Sequence, residues 1–261
     1  MEKSLLEILF KSEKRKDLLL LLQDGPQEMD FILKSMGTDR QALLPQMKIL
    51  KKYHLIVREH DKCSLTTIGK LIVDEMVPLL ETIEVFDGDI DYWGTHKIDF
   101  IPPHIISRIG ELGKCDIISP SLCDLFDVYR KFYDLAKPSK SVSIITSYLY
   151  PDYSKIFSEL LRNNIDIDFI VSEELFDSIK INHRGNFGEF IKTGKFHFYV
   201  SNKKIEFLSF TYDDFHLLLS LLTNKGDFDN KHVLCPNPGA LEWARELFDH
   251  YLKNSIPVTE I

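Results

Sequence analysis

Residues 37–69 constrain this chain more than any other stretch: GTDRQALLPQMKILKKYHLIVREHDKCSLTTIG. Gly37 tolerates a left-handed backbone and closes a helix over Glu28–Met36, whose Met29, Ile32, Leu33 and Met36 turn inward. Thr38 or Asp39 then caps a helix that runs to Tyr53. On it Leu43, Met47 and Leu50 fall at i, i+4 and i+7, a single apolar face. Pro45 fits a first helical turn and would kink a longer helix, so a late or irregular start near Ala42–Leu44 is predicted. Leu55–Glu59 and Lys62–Leu65 read as two short strands around His60-Asp61. Thr66 or Thr67 caps a long apolar helix over Ile68–Phe86.

Upstream, Leu5, Leu6, Leu9 and Phe10, then Leu18, Leu19, Leu21 and Leu22, supply a helical core face that Asp24-Gly25-Pro26 stops. Helix, turn, helix and ribbon in this order is the plan of a winged helix-turn-helix. That plan puts one helix in the DNA major groove and a ribbon beside it. The face opposite Leu43 and Met47 carries Arg40, Gln41, Leu44, Gln46 and Lys48, with Thr38 at the helix mouth. Arg and Gln can make bidentate bonds to guanine and adenine edges, and Leu can touch a thymine methyl. Lys51 and Lys52 suit phosphates; Arg58, His60 and Lys62 put charge on the ribbon. The expected partner is double-stranded DNA. Two blander readings compete: a merely solvated face, and a winged helix that binds protein. Ile72, Val73, Met76, Leu79, Leu80 and Ile83 make the last helix an expected homodimer seam.

Charge assigns any DNA contact to this head. Residues 1–80 hold 13 Lys+Arg against 12 Asp+Glu, whereas residues 81–261 hold 19 against 28. An acidic remainder repels phosphate. No apolar run reaches the roughly 18 residues that span a bilayer. Lys11–Lys16 interrupts any signal-like start, so a cytoplasmic chain without membrane contact is expected. Cys63, Cys115, Cys123 and Cys235 form no C-x-x-C. They read as reduced buried thiols, with Cys115 and Cys123 as the alternative redox pair.

The expected organisation is a head over 1–85, a connector over 86–112 and a body over 113–261. In the connector, Trp93 sits in a polar stretch, and Ile101-Pro102-Pro103 opens a helix over His104–Leu112. Body strands are expected at Asp116–Ser119, Ser141–Ser147, Ile165–Val171, Phe196–Val200, Ile205–Phe210 and Phe215–Leu222. Phe196–Val200 and Ile205–Phe210 read as neighbours joined by Ser201-Asn202-Lys203. Helices are expected at Leu122–Leu135, Tyr153–Arg162, Glu174–Lys180 and Ala240–Leu252. This order predicts an α+β chain: a winged helix followed by a mixed sheet flanked by helices.

No Gly-rich phosphate loop, dinucleotide fingerprint or G-x-S-x-G elbow appears. His183, His197, His216 and His232 are scattered, and Asp213-Asp214 reads as a turn. No catalytic residue, metal or cofactor is therefore predicted. Ligands in open α/β sheets bind beyond the carboxyl ends of strands. Ser119, Thr146, Ser147, Tyr148, Ser172 and Thr211 are the candidates there for a small-molecule effector. Polar residues also occur at strand ends simply because loops begin there.

Four segments carry a family resemblance: ALLPQMKILKKYHLIV (Ala42–Val57), LTTIGK (Leu65–Lys70), DYWGTHKIDFIP (Asp91–Pro102) and EWARELFDHYLKNS (Glu242–Ser255). With them the chain resembles the archaeal winged-helix regulators of the methanogenesis (Fil-type) regulatory family. That resemblance implies a transcription regulator with an effector-type C-terminal domain. In its element order the body is also similar to the phospholipase-D-like half-domain of TrmB-like archaeal regulators. Active phospholipase-D enzymes carry H-x-K-x4-D. The sole H-x-K here is His60-Asp61-Lys62, with Thr67 where the acid is required. The similarity is thus to a non-catalytic version, and an enzyme of the phospholipase-D or nuclease type is the weakest alternative. The leading expectation is a homodimeric, sequence-specific regulator whose body senses a small molecule or assembles with partners. An effector would act by favouring one spacing of the two heads.

Overall fold

Asp39 begins the recognition segment: its Oδ1 accepts from the Ala42 amide at 2.7 Å, which fixes the first turn of α4, Arg40–Lys52. A computed structural model of the chain describes residues 4–121 and 127–261. They divide into two units after Leu80. In the first, α4 follows α1 (Leu5–Phe10), α2 (Glu13–Leu21) and α3 (Met29–Ser35), and precedes α5 (Thr67–Asp87). The late start expected of α4 is corrected. The helix runs unbroken through Pro45, which removes only the bond its own amide would have made to the Gln41 carbonyl.

Three strands complete this unit, β1 (Gln27–Glu28), β2 (Ile56–Glu59) and β3 (Lys62–Leu65), in the order β1-β3-β2. The two-residue β1 has no counterpart in the sequence reading. Gly37 sits at φ 55°. The Thr38 amide donates back to the Leu33 carbonyl at 3.1 Å, closing α3. Thr66 caps α5 by accepting from the Gly69 amide at 2.9 Å. Gly69 is required there, because a Cβ would lie 2.0 Å from the Leu55 carbonyl oxygen. Leu18, Leu19, Ile32, Leu43, Leu50, Leu55 and Val73 form the buried centre.

The second unit starts with residues that the sequence reading made a connector. Instead, α6 (Ile90–Thr95), α7 (Pro103–Ile106) and a 3-10 turn (Ile109–Leu112) bury Tyr92, Trp93, Ile105 and Leu112 in its core. The sheet contains β4 (Asp116–Ile118), β5 (Ser141–Thr146), β6 (Asp166–Val171), β7 (Phe196–Ser201), β8 (Ser209–Tyr212), β9 (Leu217–Ser220), β10 (His232–Cys235) and β11 (Ser255–Val258). Its order is β11-β7-β6-β5-β8-β9-β10-β4, with β5, β6 and β7 parallel and the other pairs antiparallel. The fold is α+β with a mixed sheet.

Here β7 and β8 are not neighbours, as had been expected; β6 and β5 lie between them. The apolar run from Ile205 is buried as loop at Phe207, and pairing starts only at Ser209. One face of the sheet packs against α12 (Pro238–Leu252), around Ile145, Ile170, Phe210 and Trp243. The other buries Ile144, Ile167, Phe169 and Phe198 beneath α8 (Asp127–Leu135), α9 (Tyr153–Arg162), α10 (Glu173–Asn182) and α11 (Arg184–Lys192). The start of the helix expected from Leu122, with Cys123, lies outside the described residues.

Cys115 and Cys235 stand opposite each other where β4 and β10 pair, Cα atoms 4.4 Å apart, and form a disulfide. This overturns the reading of free thiols for both; Cys63 alone among the described cysteines is free and buried. Next to the bridge, the Asn237 side-chain amide donates to the Leu112 and Lys114 carbonyls at 2.8 and 2.9 Å. Gly113 between them sits at φ 58°.

Candidate nucleic-acid interface

The side of α4 away from its buried Leu43, Met47 and Leu50 presents Gln41, Pro45, Lys48 and Lys52, all exposed, with Leu44 half-buried. Residues 40–58 contain Arg40, Lys48, Lys51, Lys52 and Arg58 and no carboxylate. Beyond the face, a cleft of about 180 Å³ runs between α4 and β2, lined by Leu44, Met47, Lys48, Lys51, Ile56 and Arg58. At the ribbon turn His60 adopts φ 56°. Arg58 Nη2 lies 3.4 Å from Asp61 Oδ1, and Lys62 Nζ 3.9 Å from Glu28. Both contacts are exposed and loose enough to exchange for phosphate.

Two predicted readers are otherwise engaged. Gln46 Oε1 accepts from Arg15 Nη1 at 2.8 Å and from Ser12 Oγ at 3.4 Å. With 3.6 residues per turn it falls on the flank facing α2, not on the exposed face. Arg15 is the residue that sequence reasoning missed. It is buried, and its Nε also donates to the Ile8 carbonyl at 2.5 Å. The signal was present, since Arg15 precedes Leu18, Leu19 and Leu22 by three, four and seven residues, on the core face. Arg40 is exposed but donates to Asp30 Oδ1 at 2.8 Å. Thr38 is half-buried, its amide spent on closing α3.

In the body the six candidate ligand residues do not converge. Ser172 caps α10 by accepting from the Leu175 amide at 3.2 Å. The Ser147 hydroxyl donates to the Phe207 and Leu208 carbonyls, and Ser119 lies apart at the end of β4. Thr146, Tyr148 and Thr211 do share a small cavity with Ser209 and Tyr129, although the Thr146 hydroxyl is committed to the Tyr148 carbonyl at 2.7 Å. Thr211 belongs to antiparallel β8, whose carboxyl end lies beside the start of β5, away from the carboxyl ends of the parallel strands.

The register explains what gathers there. Thr146 pairs with Ser209 and Ser209 with Ser220, one buried transverse row continuing to His232. The Tyr129 hydroxyl bonds Ser209 and Ser220 at 3.0 and 3.2 Å, and Ser220 Oγ bonds His232 Nδ1 at 2.6 Å. Burial pushes the Tyr129, Tyr133 and Tyr148 hydroxyls up, so they stay protonated. Burial pushes His232 down to about 4. Asp213 is the turn residue expected: its Oδ1 accepts from the Phe215 and His216 amides, both at 2.7 Å. No group of three or more metal-ligating side chains occurs among the described residues. No helix among them is long and apolar enough to cross a membrane.

Comparison with known proteins places the chain. The N-terminal domain of the methanogenesis regulatory protein FilR1 matches residues 3–84, and its middle domain matches 125–254. The chain belongs to the FilR1 family of methanogenesis regulatory proteins. It is 22% identical to FilR1 of Methanothrix harundinacea (strain 6Ac) over 97% of its own length, and it spans 58% of that relative. Among solved structures it is similar to TrmBL2, an archaeal chromatin protein, at a TM-score of 0.45 and 10% identity, covering 95% of this chain and 94% of that one. Nuc of Salmonella typhimurium, a phospholipase D family member, follows at 0.41 and 11%, covering 56% of this chain and 99% of Nuc. The FilR1 N-terminal match thus takes in α1–α4, the ribbon and all but the last three residues of α5, and the middle-domain match takes in β5–β10 with α12.

Proposed function

We propose that this FilR1-family chain is a transcription regulator that binds duplex DNA sequence-specifically through α4 and the β2–β3 ribbon. One observation carries the reading: five cations and no carboxylate over residues 40–58, four of them on α4 and Arg58 on the ribbon strand that follows it, all exposed. Gln41 and Leu44 are the base-reading side chains that remain once Gln46 is committed to Arg15. Lys48, Lys51, Lys52, Arg58, His60 and Lys62 serve the backbone. Arg40 joins them by exchanging Asp30 for a phosphate, and the turn at Thr38 sets where the helix enters the groove.

The regulator acts as a homodimer through α5. Ile68, Leu71, Leu79 and Ile83 are all exposed there along one side, a second apolar stripe beside the buried Val73 and Met76. Two heads one DNA turn apart double the contact. The body adjusts this act without chemistry of its own. It binds a small-molecule effector or a partner, and the protein works in the cytoplasm.

The test is selection from a random duplex pool, followed by salt titration of the enriched sequence. A DNA reader enriches a motif and loses affinity steeply with salt, by a slope of about 0.9 per phosphate contacted. An unenriched pool, or salt-insensitive binding, overturns the proposal in favour of a protein-binding winged helix.

A further inference from the structure

The cleft between α4 and β2 has an unusual make-up for a phosphate contact. Met47 and Ile56 are buried at its floor, with half-buried Leu44 beside them. Lys48, Lys51 and Arg58 surround that floor and are exposed. Arg58 makes two long contacts, from Nη2 to the Asp61 carboxylate at 3.4 Å and from Nε to the His60 carbonyl at 3.3 Å, and neither lysine enters an ion pair among the described residues. A bare phosphate would gain nothing from an apolar floor. A chain that alternates apolar rings with anions matches both parts of the cleft.

The geometry points to a single occupant: one deoxyribose-phosphate strand of duplex DNA. We propose that this cleft seats the strand dividing the two grooves, sugars against Leu44, Met47 and Ile56, flanking phosphates held by Lys48, Lys51 and Arg58. The inference rests on the DNA-binding reading above. If α4 lies in the major groove and the ribbon at the adjoining minor groove, the strand between those grooves has to cross between α4 and β2. It gives Lys48 a specific backbone partner, and leaves Gln41, on the outward face but outside the cleft lining, to face base edges. A ribose 2′-hydroxyl pressed on that floor would lose its water without gaining a partner. The site therefore favours deoxyribose.

The experiment measures anisotropy binding of the full chain to its enriched duplex. Phosphates are replaced one at a time by uncharged methylphosphonate, and single sugars by ribose. The expected result is a run of two or three adjacent sensitive phosphates on one strand per head, with ribose harmful only at the sugars between them. Lys48→Gln, Lys51→Gln and Arg58→Gln should each silence sensitivity at one phosphate and flatten the salt slope by about 0.9, without changing the enriched motif. Lys70→Gln, exposed and outside the cleft, should leave the pattern of sensitive phosphates unchanged. Sensitivity spread evenly over the site, or a run that survives all three substitutions, overturns the seat while leaving DNA binding intact. A chain that binds no duplex overturns the DNA-binding reading and this inference with it.

Discussion

Arg15 Nη1 donates to Gln46 Oε1 at 2.8 Å, tying α2 to the flank of α4. Among the described residues the buried guanidinium has only that side chain and two main-chain carbonyls, of Glu7 and Ile8, to satisfy it. Truncating Gln46 strands a buried charged donor. Gln46→Ala should therefore lower stability by about 1–3 kcal/mol in urea denaturation while the preferred DNA sequence stays the same.

Gln41 should behave in the opposite way. It is exposed, and its side chain makes no hydrogen bond among the described residues. Gln41→Ala is expected to leave the urea midpoint in place and to cost about 1–3 kcal/mol of binding, concentrated at one adenine of the enriched motif. Competition with single-base variants of that duplex reads it.

The exposed stripe on α5 predicts a monomer when it is charged. Leu71 and Leu79 are 64% and 49% exposed, so Leu71→Asp with Leu79→Asp should fold. Sedimentation equilibrium should then give the mass of one chain. Affinity for a two-half-site duplex should drop roughly 100-fold and affinity for a single half-site should hold.

His232 makes stability depend on pH. An unfolded histidine takes up a proton below about 6.5. The folded one resists until about 4, because burial disfavours its charged form. Between those values the unfolded state holds more protons, so stability is full above pH 6.5 and is lost as pH falls toward 4. The loss attributable to this residue is about 3 kcal/mol. Urea titrations at pH 7, 5.5 and 4.5 should show a shallower decline in His232→Gln than in the parent, whatever its absolute stability.

The Cys115–Cys235 bridge joins residues 120 apart in sequence. Closing so long a loop restricts the unfolded chain far more than the folded one. Reductant should lower stability by about 2–4 kcal/mol, and Cys115→Ser should reproduce the effect and make the protein indifferent to reductant. Calorimetry with and without a phosphine answers the question.

How far these features could be read from sequence depends on how local they are. Asp39, Thr66 and Gly37 announce the ends of α3, α4 and α5 because capping is decided within four residues. The parallel core over β5 and β6 shows as runs of β-branched residues, SVSIIT and DIDFIV. By contrast the two-residue β1 carries too little pattern to detect, and β10 lacks the paired run and tight turn that marked the equally short β2 and β3. The separation of β7 from β8 was hidden because strand order is set by which sheet edges remain open, and nearness in sequence suggested a hairpin. The disulfide joins residues too distant for spacing to reveal. At the candidate interface the residue types were legible, but the helix flank occupied by Gln46 became clear only with Arg15 in place. Chemistry alone could not separate a side chain aimed at a neighbour from one aimed at DNA.

The bridge between Cys115 and Cys235 encloses every strand of the large sheet except β11. While it is oxidised, a protease that nicks any intervening loop leaves both pieces on one molecule. Such damage would be invisible on a non-reducing gel, and the nicked chain would keep its stretches of sheet within reach of each other for re-annealing.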